Sequence, residues 1–470
     1  MVVPMMAGET DTNPTTATTP SLRSGASPNV LMIVSDDLRA SVLGCYGDEV
    51  TRTPNIDALA QRGTLFRHAH CQATWCLPSR RSFMRSRYFD ASGPTLGETL
   101  RRAGVRTARV GKIFHMRVPG DIVEGTDGED VPECWDERFN CSGDEAHSVG
   151  RYACLNQNVF QTEMDGRQGA GTKHRAFVTV EITGNGDDQP DTKAAFTATR
   201  WMTRKKESPF FLAVGFVRPH YPMVAPESIF RRYPHASVVL PVRWSVSPSR
   251  TQIPKIGWSG SRSEINGIDR YPENQRRMWS GYRASVEFMD VQVGRLMTTL
   301  DDLDLDESTW IVFTSDHGYH LGDHTFWQKS NLHEQVTRVP LIVVPPRGAA
   351  ASEWASRSID IPVELVDLYP TICDWMGVAS PNFVQGTSLT NKLRRPTETA
   401  SALTTMRRKG DRHHSLRTKR YALIKYEENV GELYDMHEDP NQTRNLFDDP
   451  THASTRQRLE SILQTRLENL

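Results

Sequence analysis

No apolar run in this 470-residue chain approaches the length of a membrane span. The longest, such as Val30–Val34 and Phe210–Val217, stop far short of the ~20 residues that a spanning helix needs. An excess of one charge is also missing: 56 Lys and Arg stand against 57 Asp and Glu, a formal charge of −1. So balanced a chain has no global attraction to nucleic acid or to an anionic bilayer. Cysteine is scarce and odd in number, at 7 residues. That excludes a disulfide scaffold and leaves at least one thiol without an intramolecular partner. A bridge among Cys134, Cys141 and Cys154, which share a Gly- and Asp-rich stretch, stays open. The opening residues lack the basic start and apolar core of a secretory signal, and no clear signal peptide is present. Residues 1–28, rich in Thr, Ser and Pro, are expected to form a disordered leader. What remains, 37% apolar and 24% charged, suits a folded chain of two or three domains, or one large domain with an appendage.

The ordered pattern begins at Asn29–Ser35 (NVLMIVS), a continuous apolar run that reads as a buried strand. Thr53-Pro54 opens a helix through Arg62, closed by Gly63, the Pro-first, Gly-last asymmetry of helices. Thr95-Leu-Gly-Glu98 is a capping box whose helix ends at Gly104, and a short strand, Thr107–Gly111, follows. From Pro119 to about Asp191, Gly, Asp and Asn predict a long decorated loop, a kind of segment that is usually functional. Regularity returns with a helix at Thr192–Lys206 and a strand at Phe210–Val217. An irregular, Pro-rich stretch, a helix at Gln275–Leu303 and strands at Trp310–Ser315 and Pro340–Val344 complete the pattern. Helices alternating with fully apolar strands predict the α/β class: a large, mixed, mostly parallel sheet flanked by helices. The main domain is expected over residues 29–397. Residues 398–470 are expected to form a small C-terminal α+β subdomain, with an antiparallel hairpin (Tyr421–Tyr426 and Glu432–Asp435) and a terminal amphipathic helix.

Chemistry-bearing residues gather where strands end. Asp36-Asp37, Lys112, His220 and Asp316-His317 each lie at or just past the carboxyl end of an expected strand, the edge where open parallel sheets bind ligands. Asp36 alone reads more readily as a turn or cap residue. Two acidic clusters far apart in sequence but at the same edge point instead to a divalent cation. Three carboxylates and an imidazole suit a hard, oxygen-preferring ion, Ca²⁺ with Mg²⁺ possible. No H-E-x-x-H and no paired C-x-x-C accompanies them, which weighs against Zn²⁺. A second constellation is Cys76-Leu77-Pro78-Ser79-Arg80. If a helix begins at Cys76, Pro78 suits its first turn and Arg80 faces the same way as the thiol.

This string, following a strand that ends in Asp-Asp, resembles the signature of the type I, formylglycine-dependent sulfatases. The likeness extends from Asn29 to about Leu446. It includes Gly44-Cys45-Tyr46-Gly47, Thr53-Pro54-Asn55-Ile56-Asp57 and Gly111-Lys112-Ile113-Phe114-His115. Arg218-Pro219-His220-Tyr221-Pro222, Thr314–Gly318, Leu321–His324 with Trp327-Gln328-Lys329, and Glu432–Asp435 continue it. The Phe-containing lysine/histidine motif is similar to the iduronate 2-sulfatase-like branch of the alkaline-phosphatase-like superfamily. Phe83-Met84-Arg85-Ser86 stands where family members commonly carry Thr-Gly.

The resemblance implies an alkaline-phosphatase-like fold and hydrolysis of a sulfate ester on a carbohydrate. It implies that Cys76 is oxidised to formylglycine (3-oxoalanine) by a formylglycine-generating or equivalent maturation enzyme. The hydrated aldehyde then attacks sulfur through one hydroxyl and expels sulfate through the other. Ca²⁺ would be held by Asp36, Asp37, Asp316, His317 and residue 76, with Arg80 as the clamp and Lys112 and Lys329 on the sulfate oxygens. Asp316 would take the proton of the attacking hydroxyl, His220 would protonate the leaving oxygen, and His115 would assist the later collapse. Lys329 otherwise reads as a solvated lysine. His414 is either a substrate contact or one of a surface His pair. The resemblance implies a periplasmic or secreted location. Two other readings stand beside this one: a phosphodiesterase or phosphonate hydrolase of the same superfamily, and a glycan-binding protein never modified at Cys76.

Overall fold

The computed structural model describes residues 28–89, 92–162, 174–205, 209–241, 252–349, 353–394 and 400–470. The expected leader lies outside them except for Pro28, and so does the expected boundary at 397/398. The core is an eight-stranded sheet. Its strands are β1 (Asn29–Asp36), β2 (Thr64–Phe66), β3 (Arg106–Gly111), β4 (Glu137–Phe139), β5 (Phe210–Pro219), β6 (Thr309–Ser315), β7 (Leu341–Val344) and β8 (Arg357–Ile359). They lie in the order β8-β2-β7-β6-β1-β5-β3-β4. β6, β1, β5, β3 and β4 run parallel, and β2 and β8 share their direction. Only β7 is reversed, pairing antiparallel with both β6 and β2. The sheet is therefore mixed and mostly parallel.

β1 is buried along its whole length, which is why it reads as a continuous apolar run rather than an alternating one. Successive side chains point to opposite faces. Leu31 and Ile33 enter one core with residues of α1 (Pro54–Arg62), α4 (Pro190–Lys205) and α5 (Pro272–Asp302). Val30, Met32 and Val34 enter the other, against α2 (Cys76–Arg85), α3 (Leu96–Arg102) and α6 (Leu368–Trp375). The capping box at Thr95 and Glu98 is present. Gly63 is needed for a different reason from the one its position suggests: its φ is −115°, so it is not a left-handed cap. A Cβ there would run into the Val343 carbonyl of β7.

The stretch from Pro119 to Asp191 is not one long loop. It supplies β4 to the edge of the main sheet, and the strands Gly150–Cys154, Val159–Gln161 and Val178–Ile182 join Met223–Pro226 in a second, four-stranded sheet. Strands of three to five residues broken by Gly and Asp carry too little period-two signal to be read. The expected C-terminal hairpin forms, and Ser401–Arg408 and Asp411–Thr418 widen it to four antiparallel strands. Helix α7 (Ala453–Glu468) packs Leu459 and Leu463 into that sheet's core. All seven cysteines are free thiols, including Cys134, Cys141 and Cys154. No helix among the described residues is long and apolar enough to cross a membrane.

Candidate active site

The carboxyl ends of β1, β6, β5 and β3 bring the strand-end residues together. β1 ends at Asp36, and Asp37 takes a left-handed φ of 64°, a conformation that costs a non-glycine residue about 1 kcal/mol or more. Neighbouring groups hold it there. The Tyr282 hydroxyl of α5 donates to the Asp37 carbonyl at 2.6 Å, and the Asp37 N–H donates to Asp316 Oδ1 at 3.3 Å. Ser315, the last residue of β6, accepts from the Leu38 N–H at 3.0 Å and donates to the His317 carbonyl at 2.9 Å. The two acidic turns are thus tied across adjacent parallel strands.

Cys76 is the first residue of α2 and is 3% exposed. Its Sγ lies 3.0 Å from Lys329 Nζ, 3.3 Å from His317 Nε2 and 3.4 Å from Asp36 Oδ1. One turn along, Ser79 donates to the Asp316 carbonyl. Arg80, with no exposed surface, donates from Nε to Asp316 Oδ2 at 2.8 Å and sets a terminal nitrogen 3.3 Å from Asp36 Oδ2. Its remaining terminal nitrogen donates to the carbonyls of Lys112 and Ile113. The Lys112 ammonium meets Asp36 Oδ2, and Lys329 donates to Asp37 Oδ1 at 2.8 Å. Lys329 is therefore a buried member of the cluster and not a solvated surface lysine.

His220 follows β5. Its Nδ1 lies 2.8 Å from the Tyr221 carbonyl; a carbonyl only accepts, so Nδ1 carries the proton and Nε2 is turned toward Asp37 Oδ2, 3.6 Å away. The turn that presents His220 is fixed by buried Arg218, which donates to the His220 and Pro222 carbonyls and pairs with Glu145. Asp191 accepts from the Val217 and Arg218 N–H groups at 2.7 and 2.9 Å. His115 comes just after β3, where Lys112, Asp36, Arg80 and Lys329 all act on its charge, and its Nδ1 is buried without a hydrogen bond. His414 lies outside the carboxylate cluster. Its Nδ1 is 3.0 Å from Thr405 Oγ1 and its ring packs edge-on to Phe89.

Burial and charge compete strongly here. Burial works against ionisation of Asp36, but Lys112, His220 and Arg80 overcome it and hold the carboxyl well below the usual range. Burial prevails at Asp37, which is pushed up to about 7. His317 is raised to about 9, because Asp316 and Cys76 outweigh its burial. Burial and the nearby Lys112 lower His115 to about 4, and burial depresses His220 as well. Lys329 is raised despite its burial by Asp37 and Cys76.

Among the described residues, two donor groups could hold a cation, Asp36 with Cys76, Asp316 and His317, and Asp36 with Asp37 and His220. Within each, the donor atoms lie within 4.8 Å of one another. Asp37 Oδ2 is buried and accepts no hydrogen bond. This oxygen-rich set fits a hard divalent ion. The supporting residues Tyr282, Arg218, Glu145 and Asp191 were not legible as site residues. Arg218 lies inside a recognisable motif, whereas Glu145 sits in the segment that reads as loop.

Comparison with known proteins gives the same direction. The Sulfatase family model matches residues 28–378, and the model of the N-sulphoglucosamine sulphohydrolase C-terminal region matches 322–469. Iduronate 2-sulfatase of Mus musculus is 33% identical over 400 residues, covering 75% of this chain and 69% of that protein. The N-acetylglucosamine-6-O-sulfatase of Bacteroides thetaiotaomicron is 23% identical, covering 93% of this chain and 86% of that protein. Among solved structures, the phosphonate monoester hydrolase of Agrobacterium radiobacter shares the fold with a TM-score of 0.74 at 21% identity, covering 94% of this chain and 96% of that one. A protein solved with its substrate D-glucosamine-2-N,6-O-disulfate does so with a TM-score of 0.70 at 19% identity, covering 94% and 98%. With its signature cysteine, its clustered carboxylates and lysines and these matches over most of its length, the chain belongs to the sulfatase family, in its iduronate 2-sulfatase-like branch.

Proposed function

We propose that this sulfuric ester hydrolase removes sulfate from a sulfated carbohydrate, with residue 76 converted to formylglycine and Ca²⁺ bound beside it. The observation that carries the reading is the convergence of Lys329, His317 and Asp36 on Cys76 Sγ, all within 3.0–3.4 Å in a buried site. When present, formylglycine supplies a hydrated nucleophile with a second hydroxyl for release, and the cation, held by Asp36, Asp37, Asp316, His317 and residue 76, supplies charge neutralisation.

The protein's own residues do the rest. Lys112 and Lys329, both buried, bind sulfate oxygens with fixed positive charge. Arg80 holds Asp36 and Asp316 in register through charge-assisted bonds. Asp316 accepts the proton released at residue 76. His220, whose Nδ1–H is anchored on a carbonyl, acts as the acid from Nε2 in its doubly protonated form, a charge that burial opposes and neighbouring Asp36 favours. It returns to the neutral Nδ1–H ring once the proton has passed to the departing sugar oxygen. His115 takes a proton in the second half of the reaction, and His414 contacts substrate at the rim.

The carbohydrate substrate class is supported by relatives named for iduronate and N-acetylglucosamine sulfates. We further propose a catalytic part over 29–397 and a C-terminal part over 398–470, maturation by a formylglycine-generating or equivalent enzyme, and a periplasmic or secreted location taken from the family alone. The test is peptide mass with parallel assays. After co-production with a maturation enzyme, the Cys76 peptide should be about 18 Da lighter than its unmodified form. Such a preparation should hydrolyse a sugar sulfate and an aryl sulfate faster than an aryl phosphodiester. An unmodified, inert protein would point to glycan binding alone, and a preference for the diester to the phosphodiesterase reading.

A further inference from the structure

Trp75, immediately before the signature cysteine, serves neither the helix cap nor the core. It is the N-cap of α2, with extended backbone (φ −142°, ψ 150°), yet it makes no side-chain cap hydrogen bond. Ser, Thr, Asp or Asn would satisfy a free N–H at that position. Nor does it serve the core: it is 51% exposed, the one exposed tryptophan among the described residues. A large aromatic left in water forgoes one of the largest apolar burials available to a side chain. The location of its ring is what stands out. The ring centroid is 5.8 Å from Lys329 Nζ, and that ammonium is 3.0 Å from Cys76 Sγ. The indole therefore stands at the solvent side of the reacting atom, beside a cation placed to hold sulfate.

We propose that Trp75 is a stacking platform for the pyranose ring that carries the scissile sulfate. This rests on the carbohydrate sulfatase reading above. With sulfate held against Lys329 and residue 76, the leaving sugar must lie on the open side, where Trp75 is the adjacent apolar surface. A pyranose offers a face of polarised C–H groups to the electron-rich indole, a contact of the same electrostatic kind as other aromatic contacts. The bridge between Ala73 and Thr405 ties the C-terminal sheet to the segment that carries Trp75. Trp75 would then select for a sugar with one unobstructed ring face, and it would act on binding and not on the bond cleaved.

The experiment compares Trp75→Ala and Trp75→Phe with wild type on a panel of O-sulfated monosaccharides and disaccharides, and measures inhibition by inorganic sulfate. The expected result is a KM on the preferred pyranose sulfate raised roughly tenfold in Trp75→Ala, a kcat little changed, and an unchanged inhibition constant for free sulfate. Trp75→Phe should restore most of the loss. In a Cys76→Ala protein, which cannot turn over, the same sugar sulfate should perturb tryptophan fluorescence, and adding Trp75→Phe should remove that signal. An unchanged KM would overturn the proposal. So would a parallel loss of kcat and sulfate affinity, because Trp75 would then merely steady Lys329. If wild type hydrolyses aryl sulfate but no sugar in the panel, the carbohydrate reading itself fails and the platform falls with it.

Discussion

At the scale of single residues, the site separates two histidines of similar appearance. His220 has one nitrogen committed to a carbonyl and the other turned into the carboxylate cluster, while His115 has a buried Nδ1 with no bond at all. An acid matters in proportion to the basicity of the leaving oxygen. His220→Ala should therefore cost about 10²–10⁴-fold on a sugar sulfate and far less on an activated aryl sulfate. His115→Ala should accumulate sulfated enzyme on both substrates, detectable by intact mass. Equal, weak losses for both variants would remove these roles. The crowded carboxylates lead to a second expectation. Asp36 shares one buried donor group with Asp316 and another with Asp37, so excess Ca²⁺ should stabilise the fold; at a hundred times its dissociation constant the gain is about 2.7 kcal/mol. A thermal melt with Ca²⁺ and with chelator reads this without any turnover, and coincident melts would argue against a cation there.

At the scale of elements, the lysine beside the cluster depends on two strands coming unusually close. The Lys112 N–H donates to the Gly215 carbonyl at 2.9 Å, and Gly111 just before it has a φ of 72°, where glycine carries no steric penalty. A Cβ on Gly215 would collide with the Lys112 backbone carbonyl, which in turn accepts from Arg80. Gly215→Ala should thus displace Lys112 and Arg80 together, lowering kcat by an order of magnitude or more and stability by about 1–3 kcal/mol, the usual cost of overpacking. Wild-type activity and melting in that variant would show that the strands can part. The strands β1, β5 and β6 were legible because burial on both faces makes them continuously apolar. β4 and the second sheet were not, since their pairing is decided by distant segments and not by local pattern.

At the scale of the molecule, buried ion pairs fasten the C-terminal sheet to the catalytic part. Glu334, just after the site loop, pairs with Arg417 at 3.3 Å, and His333 meets Glu432 at 2.9 Å. Arg466 of α7 donates to Glu364. Burial alone would raise Glu334, but Arg417, His70 and Arg338 bring it down to about 2. Folding lowers this pKa, so the unfolded chain takes up the proton first. The stabilisation is complete above the ordinary value of 4.5 and is lost as pH falls toward about 2. It is on the order of 3 kcal/mol. Glu334→Gln should lower the melting temperature at pH 7 and flatten its decline between pH 4.5 and 2. An unaltered pH slope would assign the acid sensitivity to other carboxylates.

Most of the candidate site residues were fixed locally and could be read directly. Cys76 and Arg80 are one helical turn apart, and Asp36-Asp37, Lys112, His220 and Asp316-His317 each follow a buried strand, whose end is marked by where the apolar run stops. Only the tertiary structure decided which of these ends meet. The parallel register of β1 with β5 and β6 brings the aspartates of two distant turns together, and the loop after β6 carries Lys329 back under residue 76. The reversal of β7, the second sheet and the props Tyr282, Arg218 and Glu145 likewise depend on contacts between segments far apart in the chain. Such contacts leave no periodic trace in the sequence, because a buried charge is satisfied by whichever partner the fold brings to it.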